Sequence, residues 1–279
     1  MTEILRYTAF SSDPSGGNRA GVVLDARGMS DDAMLAVAAD VGYSETVFVT
    51  GRDADGTLVV RYFSPRAEVD FCGHVTIALG VAYAERHGAG TLSLRTAAGP
   101  IALATTAADG APPVATLTSV PTHTRPATGA ELSTTLGALR WPAADLDASF
   151  PPHVAFGGNE HLVLAAATRE RLADLDYDYA ALDAVMAERA WTTVQLVWRE
   201  SATVFHARDP FPPGGVVEDA ATGAAAAAFG GYLRDLGLFP ASGAVTIHQG
   251  ADMGRPSLLT VTLADGGRVS VGGTAVPIT

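Results

Sequence analysis

Hydrophobic and polar positions along the chain fall into two patterns. Short runs alternate with a period of two, and two longer stretches are apolar on every side. Residues 4–10 and 20–24 read as strands on either side of a Ser/Asp/Pro/Gly loop. Residues 30–41 read as a helix: Ser30 caps it, Asp31 and Asp32 suit its positive end, and Met34, Leu35, Ala38 and Val41 form its apolar stripe. Strands follow at 45–49 and 58–63. A helix at 76–87 is started by Gly73 and His74 and stopped near Gly88, and strands resume at 91–94, 101–104 and 115–117. The Pro- and Thr-rich segment 121–150 reads as a crossover. The second half then gives strands at 154–156, 162–165, 194–198 and 203–207, with a helix at 179–187. A Pro/Gly-rich loop at 209–215 leads to a helix at 222–236 and strands at 245–249, 258–263 and 268–272.

The halves repeat each other. Gly16-Gly17-Asn18 precedes the apolar Val22-Val23-Leu24, and Gly157-Gly158-Asn159 precedes Leu162-Val163-Leu164. Farther on, each half has an apolar segment opened by glycine, with Gly73 matching Gly223, Ala78 matching Ala228 and Gly80 matching Gly230. A segment apolar all round is a buried helix. The expected fold is therefore α+β: two pseudo-symmetric lobes, each a curved sheet around a central helix, with about two helices per half and the active site between the copies. The expected lobes are residues 1–120 and 121–279, with room for the final strands to return to the first.

Composition narrows the classes. Hydrophobic residues make up 48% of 279, enough for a core and against disorder. A net charge of −12 disfavours nucleic acid, whose phosphates it repels. The single cysteine, Cys72, permits no internal disulfide and suits a reducing cytoplasm. No signal-peptide pattern opens the sequence, and no apolar run approaches the roughly 20 residues of a membrane span. No metal is expected: the seven histidines include no H-x-x-x-H pair, and no Cys/His cluster stands out. No dinucleotide fingerprint occurs in its strand–helix context.

The candidate chemistry sits beside the two helix starts. Glu45, at the edge of an apolar strand, would have its charged form disfavoured and could take and return a proton; an exposed glutamate ahead of a strand also fits. Gly73 and His74 offer unpaired amides and an imidazole to a carboxylate or enolate-like oxygen; a capping or packing histidine also fits. Asp219 can accept from a substrate amine or hydroxyl, or cap the second helix. Cys72 can be a thiolate at a helix start, or a small buried apolar residue.

These motifs resemble the phenazine-biosynthesis PhzF-like isomerases, which share the diaminopimelate epimerase fold. The matching residues are Gly17-Asn18, Ser44-Glu45-Thr46 with Phe48-Val49, the block from Phe63-Ser64-Pro65 to Cys72-Gly73-His74, and Glu218-Asp219 with Thr222-Gly223. The resemblance implies a barrel-like sheet around each central helix, a homodimer and no cofactor. It implies Glu45 as general acid/base, His74 and Asp219 as substrate-positioning residues, and Asn18 and the amides of Gly73, Gly223 and Ala224 as anchors for a small carboxylic acid. Two departures stand out. Ala224 replaces a serine common in the family. Thr222 replaces the second cysteine of epimerases with this fold, which disfavours a two-thiol racemase because a hydroxyl does not titrate like a thiol. The expected function is a proton and double-bond shift in a small unsaturated amino or imino acid, in specialised-metabolite biosynthesis. The alternatives are a racemase or epimerase using Cys72, and a non-catalytic small-acid binder.

Overall fold

The computed structural model describes residues 2–108 and 110–278; Met1, Asp109 and Thr279 lie outside them. The chain divides into two compact units, residues 1–118 with 272–279, and residues 119–271. In chain order the first unit contributes β1 (Leu5–Ala9), β2 (Asn18–Val23), α1 (Asp31–Val41), β3 (Glu45–Arg52), β4 (Leu58–Phe63), β5 (Glu68–Val69), α2 (Gly73–His87), β6 (Thr91–Thr96), β7 (Gly99–Ala108) and β8 (Ala111–Thr118). The second contributes β9 (His123–Pro126), α3 (Gly129–Leu139), β10 (His153–Phe156), β11 (Glu160–Ala165), α4 (Arg169–Ala173), α5 (Tyr179–Arg189), β12 (Trp191–Arg199), β13 (Val204–Pro210), β14 (Glu218–Asp219), α6 (Gly223–Asp235), β15 (Ala244–Gln249) and β16 (Ser257–Ala264). The last strand, β17 (Arg268–Pro277), passes from the second unit into the first.

In the first unit the strands close on themselves. The ring runs β1, β2, β3, β4, β6, β7, β8, β17 and back to β1, with Tyr7 opposite Pro277 and Ala9 opposite Ala275 at the closure. Closure removes the unpaired edges an open sheet would leave. Helix α2 is buried at every residue from His74 to Ala82, as its lack of a polar face demands.

The second unit repeats the pairing order. In the first unit β1–β2 is antiparallel, β2–β3 parallel, β3–β4 antiparallel and β4–β6 parallel, with β5 and α2 inserted before β6. In the second, β10–β11 is antiparallel, β11–β12 parallel, β12–β13 antiparallel and β13–β15 parallel, with β14 and α6 inserted before β15. Helix α6 is buried at every residue from Ala225 to Leu233. Each glycine-opened segment is thus the central helix of its own copy.

Three local expectations are corrected. Segment 121–150 is more than a crossover: it holds β9 and α3, the latter started by a capping box in which Thr128 and Glu131 bond each other's backbone amides. The segment's Pro and Thr content hid that signature. Among the described residues the second unit carries four α-helices rather than two, because α3 and α4 join the expected α5 and α6; Leu139, Leu172, Leu182 and Met186 bury α3, α4 and α5 against Leu162 and Leu196 of the strands. Asp209 and Pro210 belong to β13 rather than a loop. Polar Asp209 sits in a strand because Thr193 donates a hydrogen bond to it inside the core.

Candidate active site

Glu45 is the first residue of β3, paired with Ala20 of β2, and its side chain keeps 20% of its exposure. His74 is the second residue of α2, with 7%. Register therefore delivers the carboxylate to the point where the central helix begins. Glu45 Oε2 lies 3.6 Å from His74 Nε2. Cys72 Sγ lies 3.5 Å from Glu45 Oε2 and 3.2 Å from His74 Nδ1. The backbone carbonyl of Arg19 and the hydroxyl of Ser44 stand 3.2 and 3.3 Å from Nε2. The carbonyl can only accept, so it favours the tautomer that carries its proton on Nε2 and leaves Nδ1 facing the sulfur.

Helix α2 starts without a side-chain cap: Cys72 is its N-cap residue and makes no cap hydrogen bond. The first intrahelical bond runs from Thr76 N–H to the Cys72 carbonyl, so the amides of Gly73, His74 and Val75 have no acceptor within the helix. Helix α6 starts the same way, with Thr222 at the N-cap position and its side chain engaged elsewhere. By contrast α1, α3, α4 and α5 are capped by Ser30, Thr128, Thr168 and Asp178. The two central helices alone present uncapped positive ends among the described α-helices, a setting suited to anions.

The start of α6 has its own polar frame. Thr222 donates its hydroxyl to Asp219 Oδ2 at 2.7 Å. Gln249 accepts from the Thr222 amide at 3.1 Å, and its Nε2 donates to the Asp219 carbonyl at 2.9 Å and to Thr222 Oγ1 at 3.0 Å. Thr222, not Asp219, is the N-cap residue, so the simple capping role for Asp219 does not hold. Neighbouring Glu218 makes a two-pronged bond with Arg208, at 3.0 and 2.5 Å, which fastens β14 to β13. Gly157 lies so close to α6 that a Cβ there would stand 2.6 Å from the Ala224 carbonyl.

The structure thus brings Glu45, His74 and Gly73 together around the start of α2, and Asp219, Gly223 and half-exposed Ala224 around the start of α6. Asn18 is buried and opens β2; it is Arg19 beside it that bonds His74. Cys72 is not the buried apolar filler its position also allowed: it is half-buried and its sulfur meets two polar groups. A Cys/His/Glu cluster does exist, because β3 and α2 converge where spacing along the chain gave no hint; donor atoms of Glu45, Cys72 and His74 lie within 4.8 Å of one another. Gln249 and the Arg19 carbonyl were not singled out from the sequence, and Ser44 entered only as a member of the Ser44-Glu45-Thr46 motif, without a role. Gln249 reads as the polar end of an alternating strand, and a carbonyl carries no residue signature.

Behind Asp219 lies a buried chain of polar groups. Asp209 faces Asp219 in register across β13 and β14. Thr193 donates to Asp209 Oδ1 at 2.9 Å, and His161 Nδ1 meets Thr193 Oγ1 at 2.8 Å. With its amide turned to pair, Gln195 donates to both Asp209 oxygens, at 2.9 and 3.2 Å. All four are fully buried. Burial pushes the Asp209 carboxyl well above the usual carboxylate range, against the pull of the Thr193 bond and with the help of the Asp219 and Glu218 charges. Burial also pushes His161 down to about 3, so its ring is neutral.

Comparison with known proteins gives the family. A family model described as phenazine biosynthesis-like protein matches residues 7–279. An uncharacterized isomerase of Deinococcus radiodurans is 34% identical over 99% of this chain and 92% of its own length. The trans-2,3-dihydro-3-hydroxyanthranilate isomerase of Pseudomonas chlororaphis is 31% identical over 90% of this chain and 86% of its own. The crystal structure of the Bacillus anthracis PhzF-family phenazine biosynthesis protein superposes with a TM-score of 0.86 at 23% identity, covering 100% of this chain and 97% of that one. The chain belongs to the phenazine biosynthesis-like (PhzF) family of isomerases. No helix among the described residues is long and apolar enough to cross a membrane.

Proposed function

We propose that this isomerase moves a proton, and with it a double bond, in a small unsaturated amino or imino acid, with Glu45 as the general acid/base and no cofactor. The observation that carries the reading is the Glu45 carboxylate, largely sheltered, 3.6 Å from His74 Nε2 at an uncapped helix start. The Glu45 carboxylate takes a proton from one carbon as the C–H electron pair moves into the neighbouring π system. The same carboxyl then returns that proton to a more distant carbon. His74, steadied by the Arg19 carbonyl, orients the substrate or the protonated carboxyl. Free amides at Gly73, and at Gly223 and Ala224 of the other central helix, with Asn18, are assigned to the substrate's carboxylate or developing oxyanion. Asp219, framed by Thr222 and Gln249, takes the substrate-positioning role.

The family relative from Pseudomonas chlororaphis is named for trans-2,3-dihydro-3-hydroxyanthranilate. Ala224 withholds the hydroxyl that many family members place there, which favours a related substrate with one hydrogen-bonding group fewer at that point. We assign the enzyme to specialised-metabolite biosynthesis in the cytoplasm, as a homodimer; light scattering on the purified protein checks the dimer. The central test is proton NMR in deuterated water, with dihydro-hydroxyanthranilate and several alkylidene-pyrroline carboxylates, beside Glu45→Gln. A shifted double bond or deuterium uptake that requires Glu45 supports the reading. Turnover that survives Glu45→Gln sinks it.

A second reading has one observation in its favour. Cys72 Sγ reaches both Glu45 and His74, so a thiol could share in proton transfer, as in a racemase. Inversion of a Cα centre that is lost in Cys72→Ala would establish it.

A further inference from the structure

The cluster at the start of α2 offers three different donor atoms to one point: a sulfur, an imidazole nitrogen and a carboxylate oxygen. A tetrahedral zinc-like ion with metal–sulfur bonds of about 2.3 Å and metal–nitrogen or –oxygen bonds of about 2.0 Å needs its donors roughly 3.3–3.6 Å apart. Cys72 Sγ stands 3.2 Å from His74 Nδ1 and 3.5 Å from Glu45 Oε2, so two of the three separations are already close to that geometry. The supporting shell is also in place. Metal-bound imidazoles characteristically donate their second ring N–H to a backbone carbonyl, and His74 Nε2 has the Arg19 carbonyl at 3.2 Å and Ser44 Oγ at 3.3 Å. That partner leaves Nδ1, the nitrogen facing Cys72, as the donor.

We infer that Glu45, Cys72 and His74 form a binding site for a soft divalent cation of the zinc or cadmium class, and that its occupancy blocks the enzyme. Thiolate, carboxylate and neutral imidazole are a donor set for such ions rather than for magnesium or calcium, which take oxygen. On binding, the Cys72 S–H bond breaks, its proton leaves to solvent, and the sulfur lone pair bonds the metal. The two anionic donors then balance the charge of the ion. Three protein ligands leave a fourth position open to water or to a substrate carboxylate. The acidic chain, at −12, raises the local concentration of cations. The blocking half rests on the proposed role of Glu45, since a carboxylate bound to metal cannot accept a proton; the binding half does not.

Cadmium titration of the purified full chain, free of chelator and added thiol, separates the two. The thiolate-to-cadmium ultraviolet absorption band is expected to saturate at one ion per chain. Cys72→Ser, checked for an unchanged circular dichroism spectrum and melting temperature, is expected to lose the band. His74→Ala and Glu45→Gln are each expected to weaken binding by tenfold or more. Absence of the band in the native protein overturns the site. So does equal affinity in His74→Ala and Glu45→Gln, which would mean binding by the thiol alone. Zinc at saturating concentration is expected to abolish turnover. Binding with unimpaired turnover overturns the blocking half and the Glu45 assignment together, while the cation site stands.

Discussion

Gly80 and Gly230 occupy the same place in the two copies, each where its central helix presses on the sheet around it. A Cβ on Gly80 would stand 2.8 Å from Leu103 Cδ2 and 3.0 Å from Ala115 Cβ. One on Gly230 would stand 2.7 Å from Val261 Cγ1 and 2.8 Å from Val269 Cγ1. The duplicated glycines therefore set how near each helix can come to its strands.

Alanine at these positions gains about 1 kcal/mol of helix propensity but overpacks the wall, which typically costs about 1–3 kcal/mol. Val261 and Val269 are stiff at χ1, whereas the end of Leu103 can swing. Gly230→Ala is expected to lower urea-unfolding stability by about 1–2 kcal/mol, and Gly80→Ala by less. A Gly230→Ala protein as stable as the parent would mean the helix has slack.

Glu45→Gln keeps the shape of the side chain and removes its capacity to take a proton. Turnover should fall by about 10²–10⁴, the usual worth of a general acid/base, with little change in melting temperature. Cys72→Ala should retain substantial turnover, since Glu45 and His74 remain. Steady-state kinetics of the two variants side by side decide between the isomerase and thiol-racemase readings.

Gln249→Ala removes the partner of the Thr222 amide, the Thr222 hydroxyl and the Asp219 carbonyl at one stroke. Losing these bonds at a half-buried helix start costs about 1–3 kcal/mol. If Asp219 positions substrate, KM should rise more than kcat falls. An unchanged KM alongside the stability loss would reduce Gln249 to a purely structural role.

The Asp209–Thr193–His161 chain makes stability depend on pH in two opposite ways. His161 titrates at about 3 in the folded protein, below its ordinary range, so its contribution is full above about pH 6.5 and is lost as pH falls toward 3. Asp209 is raised, so its contribution is full below about pH 4 and is lost as pH climbs toward its folded value. Each group imposes a slope of at most about 1.4 kcal/mol per pH unit. Asp209→Asn should make stability rise more steeply than in the parent between about pH 4 and 6.5, fall less above that range, and match or exceed the parent at pH 8, by denaturant unfolding. An unaltered pH profile would mean that Asp209 carries its charge when folded.

Much of the architecture was legible because it depends on local pattern. Strands show through alternation, α1 through its cap and stripe, and the central helices through the absence of any polar face. The duplication was visible because Gly73, Ala78 and Gly80 recur as Gly223, Ala228 and Gly230. Less legible was α3, whose Thr128–Glu131 box lay in a stretch that composition made look like linker.

What the sequence by itself determined is the set of elements, their repetition and the residue types offered for chemistry at Glu45, Cys72, His74 and Asp219. Only the tertiary structure decided which atoms meet. Strand register carried Glu45 to a thiol and a histidine 27 and 29 positions away, and turned Arg19's carbonyl toward the imidazole. It also placed Asp209 and His161 in one dry chain of hydrogen bonds, where burial raises the carboxyl and keeps the imidazole neutral. Periodicity reports which face of an element is buried. Distances between side chains on different strands follow from pairing and closure, to which local pattern is blind.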